Sequence, residues 1–247
     1  MLAQSSRGLI AGSRRALLLL VCAGAVAGCG PRLPEVSAPA HPPAPSVPPV
    51  QPSPTPGAQE YVIDAERSVV TLRVYRAGPL ARLGHNHVIT SAAESGSAWA
   101  TETLEASGLE VRVPARELVV DDPAARSAAG PDFPGVVPED AREGTRRNML
   151  RPEVLDADRY PEIVVRATSL GGNWAAPVAH ADVTLRDRTR RIDVPLTVTF
   201  SPGALLARGA FRILQSDFGI TPFSVAGGAI QVADAVEVEF EISAAVR

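Results

Sequence analysis

The chain has 247 residues and a formal net charge of −3 at neutral pH. A weakly acidic chain offers no basic surface for the phosphates of a nucleic acid, so we do not expect a nucleic-acid partner. Aromatic residues make up only 4% of the chain, so the core must be built from valine, leucine, isoleucine and alanine. The length allows one large domain or two small ones.

Residues 1–28 have the pattern of a bacterial lipoprotein signal peptide. Three arginines precede an apolar segment, residues 16–27, that is too short to span a bilayer comfortably. Small residues then lead directly to Cys29, as in a lipoprotein cleavage site. This resemblance implies cleavage before Cys29, lipidation of its sulfur and anchoring in the cell envelope; an ordinary secretory peptide with a chance cysteine is the alternative. Gly30 stands where an inner-membrane retention signal would have Asp, which favours the outer membrane, facing the periplasm.

Residues 29–58 form a predicted linker, because eleven of the 23 prolines lie between Gly30 and Gly57. Such a segment favours extended polyproline II structure over a helix or a sheet. The other cysteine, Cys22, belongs to the predicted signal peptide. The predicted folded domain, residues 59–247, therefore has no disulfide, no thiol nucleophile and no thiolate metal site.

Apolar and polar residues alternate along most of residues 59–247, as in strands with one buried face. The inward positions predicted in this way include Val70, Leu72 and Val74; Leu109, Val111 and Val113; Ile163 and Val165; Val183 and Leu185; Val194, Leu196 and Val198; and Val236, Val238, Phe240 and Ile242. With segments near 87–100 and 204–214, they predict about eight strands. We therefore expect a mainly all-β fold, an eight-stranded antiparallel barrel with one or two short helices.

Two segments interrupt the alternation. Residues 138–159 begin with acidic residues and continue with basic ones, which predicts a short helix. Residues 121–138 are rich in proline, glycine and alanine and predict a long loop. Since an eight-stranded barrel can hold one small ligand, and since few aromatics are available to fill it, the sequence permits an apolar cavity.

Several segments, in order along the chain, resemble a known family. They are Tyr61 to Asp64, Leu150 to Ile163, Asp182 to Leu185, Ser216 to Ile220 and Asp234 to Val238. Their order and spacing are similar to those of the YceI-like family of bacterial secreted proteins. The resemblance implies a lipocalin-like barrel whose apolar cavity binds an isoprenoid or another long apolar chain. It implies no enzymatic activity and no required cofactor.

The segment Gly84-His85-Asn86 departs from the Gly-x-Phe that this family often has, and Arg67 and Arg76 stand where it commonly has histidine. Glycine and proline break the chain before His85, between the first two predicted strands. We therefore predict this segment as a determinant of ligand choice. The ligand-binding residues predicted at the cavity or its mouth are His85, Asn86, His87, Leu72, Val74, Met149, Leu150 and Phe218.

Two alternatives remain open from the sequence. In the first, His85 and His87, which point to the same side of an extended segment, hold a metal ion or handle haem, with His180 as a possible third ligand. In the second, the barrel is filled and serves as a structural or interaction module. No arrangement of residues suggests an enzyme, and the oligomeric state is open, a homodimer included.

Overall fold

The structure is a computed structural model that describes residue 54 and residues 56–247. The predicted signal peptide, Cys29 and most of the predicted linker lie outside the described residues. Within residues 56–247, no helix is both long enough and apolar enough to cross a bilayer.

The described part of the chain consists mostly of β-strands. The strands are β1 (Gln59–Ile63), β2 (Val69–Ala77), β3 (His87–Ser91), β4 (Ser95–Ala100), β5 (Gly108–Pro114), β6 (Val119–Val120), β7 (Glu162–Ala167), β8 (Leu170–Asn173), β9 (Ala176–Leu185), β10 (Arg188–Ser201), β11 (Ala204–Leu214), β12 (Ser224–Val225) and β13 (Ile230–Val246). The helices are α1 (Pro123–Ala128) and α2 (Glu139–Leu150). Short 3₁₀ turns join several strands.

Eight of these strands form a closed antiparallel barrel. Their order around the barrel is β1, β4, β5, β7, β9, β10, β11 and β13, and β13 pairs with β1 to close it. The closing register places Tyr61 opposite Val246 and Ile63 opposite Ala244. The predicted eight-stranded antiparallel barrel is confirmed.

The strand β13 is long enough to pair with two partners along one edge. Its last residues pair with β1, while Gln231 to Glu241 pair with β2. The strands β3 and β6 follow β2 in the same sheet, so β2, β3 and β6 extend the barrel wall beyond β1 and β4. Helix α2 packs against β6, and its Met149 contacts the apolar cluster that contains Ile89, Leu118 and Val120.

The alternation along β13 separates the inside of the barrel from the outside. Val236, Val238, Phe240 and Ile242 line the interior. The glutamates between them form ion pairs on the outer face: Glu237 with Arg212 (3.0 Å), Glu239 with Arg73 (2.7 Å) and Glu241 with Arg208 (2.6 Å). Exposed pairs of this kind contribute about 0–1 kcal/mol each, so the barrel depends mainly on its buried apolar face.

The segment predicted as a long loop contains a helix, and the expectation of a structureless segment there is wrong. Helix α1 begins after Asp122, whose carboxylate accepts hydrogen bonds from the backbone N–H of Ala124 and Ala125 (both 3.0 Å). Pro123 is the first helical residue, where its missing N–H costs no hydrogen bond. The predicted helix in 138–159 is confirmed as α2, with Glu139 and Asp140 in its first turn.

Candidate functional site

A cavity of about 340 Å³ lies inside the barrel. Aliphatic and aromatic side chains from most barrel strands form its wall, together with residues of β2, β3 and α2. Its polar lining residues are His87, Ser97, Thr145, Asn148 and Gln215. Within the part of the chain that the structure describes, no Arg, Asp or Glu lines the cavity, and its volume is in the lower part of the range of roughly 300–1,000 Å³ typical of small-molecule sites.

Aromatic side chains contact one another near one end of the barrel. The rings of Trp174 and Phe200 meet edge to face with centroids 5.1 Å apart, and Tyr61 lies 6.4 Å from Phe200. The loop after β2 and the start of β13 meet at the other end, where the N–H of Leu80 donates to the carbonyl of Ala229 (2.8 Å). At that second end, β3 begins with His87, which among the described lining residues is the one that can carry a charge.

His87 belongs to a buried network with Asp121 and Arg126. The Nδ1 atom of His87 lies 2.6 Å from one carboxylate oxygen of Asp121, and a guanidinium nitrogen of Arg126 lies 2.7 Å from the other. The side chains of Asp121 and Arg126 are 0% and 3% exposed, whereas that of His87 is 16% exposed. Asp121 and Arg126 are thus buried behind the cavity wall, where they hold the ring of His87 in place.

The backbone conformation at Asp121 directs its carboxylate toward β3. Asp121 follows β6 and has a φ of 51°, in the left-handed region, which aspartate tolerates better than most residues. Its N–H donates to the carbonyl of Val88 (2.7 Å), and its carboxylate accepts from the N–H of Val88 (2.9 Å). These two bonds fix the aspartate beside His87.

Arg126 connects the network to the neighbouring loops. Besides Asp121, its guanidinium donates to the carbonyls of Asn86 (2.7 Å), Pro134 (3.2 Å) and Gly135 (3.0 Å). Arg126 lies on α1, one turn after the Asp122 cap, so the short helix positions the guanidinium. A buried charge with four acceptors is well compensated.

The environment of Asp121 determines its protonation state. Burial raises the pKa of this carboxyl, but the hydrogen bonds from His87 and from the Val88 N–H, together with the charges of His87 and Arg126, lower the pKa below its ordinary value. Asp121 is therefore ionised at neutral pH and can only accept hydrogen bonds. The proton of the short His87–Asp121 bond then resides on Nδ1.

The lowered pKa of Asp121 predicts a pH-dependent contribution to stability. A carboxyl whose folded pKa lies below its unfolded pKa stabilises the protein above the unfolded value, about 3.9, and this stabilisation is lost as the pH falls through the folded pKa. We expect Asp121→Asn to lower the free energy of unfolding by about 2 kcal/mol at pH 7, since a charged hydrogen-bond acceptor is lost.

The check is urea denaturation of both proteins between pH 7 and pH 3. The difference between them should stay constant above about pH 5 and shrink below about pH 4. Asp182→Asn is the matched control, because the hydrogen bond from Arg191 also lowers the pKa of Asp182 but this carboxylate is only half-buried, so its difference should be smaller. A difference for Asp121→Asn that does not change down to pH 3 would contradict an ionised, network-bound carboxylate.

The structure does not assemble the metal site considered from the sequence. The rings of His85 and His87 lie near each other, with centroids 6.4 Å apart. His180 is instead bound to Asp193 through a contact of 2.7 Å and does not line the cavity. Among residues 56–247, no group of three or more His, Cys, Asp or Glu residues is placed to hold a metal ion, and metal binding by His85 and His87 stays a prediction.

Comparison with protein families gives a match to the YceI-like domain over residues 61–244. The chain belongs to the YceI-like family. The match spans the whole barrel, from β1 to the last residues of β13. No curated protein matches the chain.

Solved structures agree with this YceI-like fold. BcnA of Burkholderia cenocepacia is 12% identical, with a TM-score of 0.54, and the match covers 73% of this chain and 98% of that one. A domain of Saccharophagus degradans described as polyisoprenoid-binding and implicated in plant cell wall breakdown is 14% identical, with a TM-score of 0.51, covering 76% and 98%. At such low identity the likeness concerns the fold alone.

The YceI-like barrel places the predicted ligand-binding residues in different surroundings. Leu72, Val74, His87 and Met149 line the cavity. Leu150, His85 and Asn86 are not among the lining residues, and Asn86 instead links the backbone of β2 to the loop at Asp132. Phe218 is buried against Val183, Leu185 and Ile220, one layer behind the wall that these three form. Their role in ligand binding stays a prediction.

The sequence reasoning did not find Asp121, Arg126, Asn148 or Gln215. Asp121 is the first residue of the segment predicted as a long loop, but its side chain is fully buried. One local signal was available: an aspartate directly after the apolar run Leu118 to Val120, followed by Asp-Pro and by an arginine five positions after that aspartate. Asp-Pro is typical of the start of a helix. A helix that begins there places the side chain of Arg126 close to Asp121.

Proposed function

We propose that this chain is an envelope lipid-binding protein that holds an isoprenoid or another long apolar chain in its barrel. The observation that carries the proposal is the cavity of about 340 Å³, whose wall is almost entirely apolar. Each CH₂ group transferred from water into such a cavity contributes about 0.8 kcal/mol, so affinity rises with the length of the chain. A filled structural barrel would leave no such space.

Membership in the YceI-like family supports the proposal. So does the domain of Saccharophagus degradans with a related fold, which is described as polyisoprenoid-binding. We propose a role in sequestration or carriage rather than in catalysis. The ligand requires no cofactor: the apolar wall supplies the affinity, and the polar groups at the His87 end orient the head.

Native mass spectrometry tests this function directly. The chain would be purified with Cys29→Ser, which leaves the barrel unchanged but removes the predicted lipidation site. We expect a lipid with a long apolar chain to co-purify, and its mass to disappear after extraction with organic solvent. A protein that carries no lipid and takes up none of a set of C15 to C40 prenols would contradict the proposal.

We further propose that lipidated Cys29 anchors the protein in the outer membrane, with the barrel in the periplasm. The proposal depends on the signal pattern before Cys29 and on Gly30 after it. Fractionation of the envelope tests it: the natural chain should sediment with outer membranes, and Cys29→Ser should not. Gly30→Asp should shift the protein to inner membranes. An unchanged distribution of both variants would contradict the anchor.

A further inference from the structure

The ring of His87 keeps one nitrogen available to a ligand in the cavity. His87 belongs to the cavity wall, and its Nδ1 atom is bound to Asp121. Among the described residues, none makes a hydrogen bond to its other nitrogen, Nε2. Because Nδ1 donates to Asp121, Nε2 of the imidazole presents a lone pair and accepts hydrogen bonds when the ring is uncharged.

The other polar lining side chains are less available. Three of them already bond to the protein: the hydroxyl of Thr145 to the carbonyl of Ala141 (3.1 Å), the amide oxygen of Asn148 to Arg151 (3.2 Å) and the amide nitrogen of Gln215 to the carbonyl of Ala233 (2.8 Å). The remaining one, Ser97, lies on β4 opposite Val62 of β1, away from the end where β3 begins. The amide oxygen of Gln215 also accepts no hydrogen bond among the described residues, but an imidazole nitrogen is the more basic acceptor, so His87 is the favoured one.

The charges near His87 do not favour an anionic head group. The guanidinium of Arg126 is already committed to the Asp121 carboxylate and to three carbonyls. None of the described arginines lines the cavity. A phosphate or carboxylate would lose its hydration there without gaining an arginine partner, and burying an uncompensated charge is very costly. A neutral hydroxyl needs only one acceptor, since a single hydrogen bond satisfies its donor.

We propose that the cavity selects long apolar chains that end in a neutral hydroxyl group, and that Nε2 of His87 accepts the hydrogen bond from that hydroxyl. This inference rests on the proposed lipid-binding function and names the chemical class of the ligand. In this proposal the Asp121–Arg126 pair does not contact the ligand. It keeps the imidazole proton on Nδ1, so that Nε2 can accept the hydrogen bond from the hydroxyl.

Three probes with the same C15 chain test the selection: farnesol, its methyl ether and farnesyl diphosphate. Binding would be measured on the Cys29→Ser chain by displacement of the fluorescence of N-phenyl-1-naphthylamine. We expect farnesol to bind about five- to tenfold more tightly than the methyl ether, which cannot donate a hydrogen bond. Farnesyl diphosphate should bind more weakly than both.

His87→Phe removes the acceptor and keeps an aromatic ring at the same place. It should bind farnesol and its methyl ether equally, while its affinity for the methyl ether stays within about twofold of the natural chain. His87→Gln, which can still accept, should restore part of the preference. The matched control is His180→Phe, because His180 makes the same kind of bond to Asp193 but lies off the cavity; it should change nothing.

The outcomes separate this inference from the function on which it rests. If His87→Phe keeps the full preference for farnesol, or if farnesyl diphosphate binds more tightly than farnesol, the hydroxyl selection is wrong although lipid binding stands. If none of the probes displaces the dye from the natural chain, lipid binding itself fails. Retained binding of the methyl ether by His87→Phe shows that the variant is folded.

Discussion

Replacing Arg126 with alanine is expected to lower the free energy of unfolding by about 3–5 kcal/mol, the usual cost of removing one partner from a buried ion pair. The substitution leaves the carboxylate of Asp121 in a buried position without its cation. It also removes the donors to the carbonyls of Asn86, Pro134 and Gly135. Urea denaturation at pH 7, followed by far-UV circular dichroism, measures the change.

Arg191→Ala is the matched control for this prediction. Arg191 also pairs with a carboxylate through two contacts, at 2.6 and 2.8 Å to Asp182, but its side chain is 63% exposed. Exposed pairs contribute about 1 kcal/mol or less, so the control should lose little. Equal losses for Arg126→Ala and Arg191→Ala would mean that the network of His87, Asp121 and Arg126 is open to water in solution.

Replacing Ala207 with phenylalanine is expected to weaken the binding of a long-chain prenol at least tenfold. Ala207 lies on β11 with its side chain on the cavity wall. A phenyl ring occupies space that the chain would otherwise fill, and displacing two CH₂ groups alone costs about 1.6 kcal/mol. Because the ring enters an existing cavity, the protein should lose less than about 1.5 kcal/mol of stability.

Ala210→Phe introduces the same ring on the same strand but outside the barrel, since Ala210 is exposed. This variant should bind prenols as the natural chain does. Dye displacement measures both variants, and thermal unfolding shows whether they are folded. A normal affinity of folded Ala207→Phe would contradict the cavity as the binding site, whereas a loss in both variants would indicate an effect unrelated to the cavity.

The alternation of apolar and polar residues was enough to predict the barrel and most of its inner wall. Along β13, the period of two places Val236 and Val238 inside and Glu237 outside, because neighbouring side chains of a strand point to opposite faces. A closed barrel then follows, since it removes exposed strand edges. Local pattern and global fold agree in this part of the chain.

The network behind His87 could not be predicted in the same way. Asp121 contacts His87 across 34 positions of sequence, and only the pairing of β3 with β6 brings them together. Helix α1 is six residues long, too short to show a helical period. The burial of Asp121 and Arg126 therefore depends on tertiary contacts that no local pattern encodes.

Side-chain direction explains the positions of two further predicted residues. Met149 and Leu150 are neighbours near the end of α2, where successive side chains point about 100° apart, so only Met149 reaches the cavity wall. Phe218 belongs to a 3₁₀ turn whose first residue, Gln215, lines the cavity while the phenyl ring packs behind it. Apolar character alone does not tell which residue of such a segment faces a ligand.

The double pairing of β13 has a consequence for folding in the cell. This strand joins β11, β1 and β2, so it closes the barrel wall over its whole length. Until β13 leaves the ribosome, the edges of β11, β1 and β2 stay unpaired and the apolar wall stays open. We therefore expect the barrel to close only after its last strand has been synthesised. Contacts this distant in sequence also form slowly.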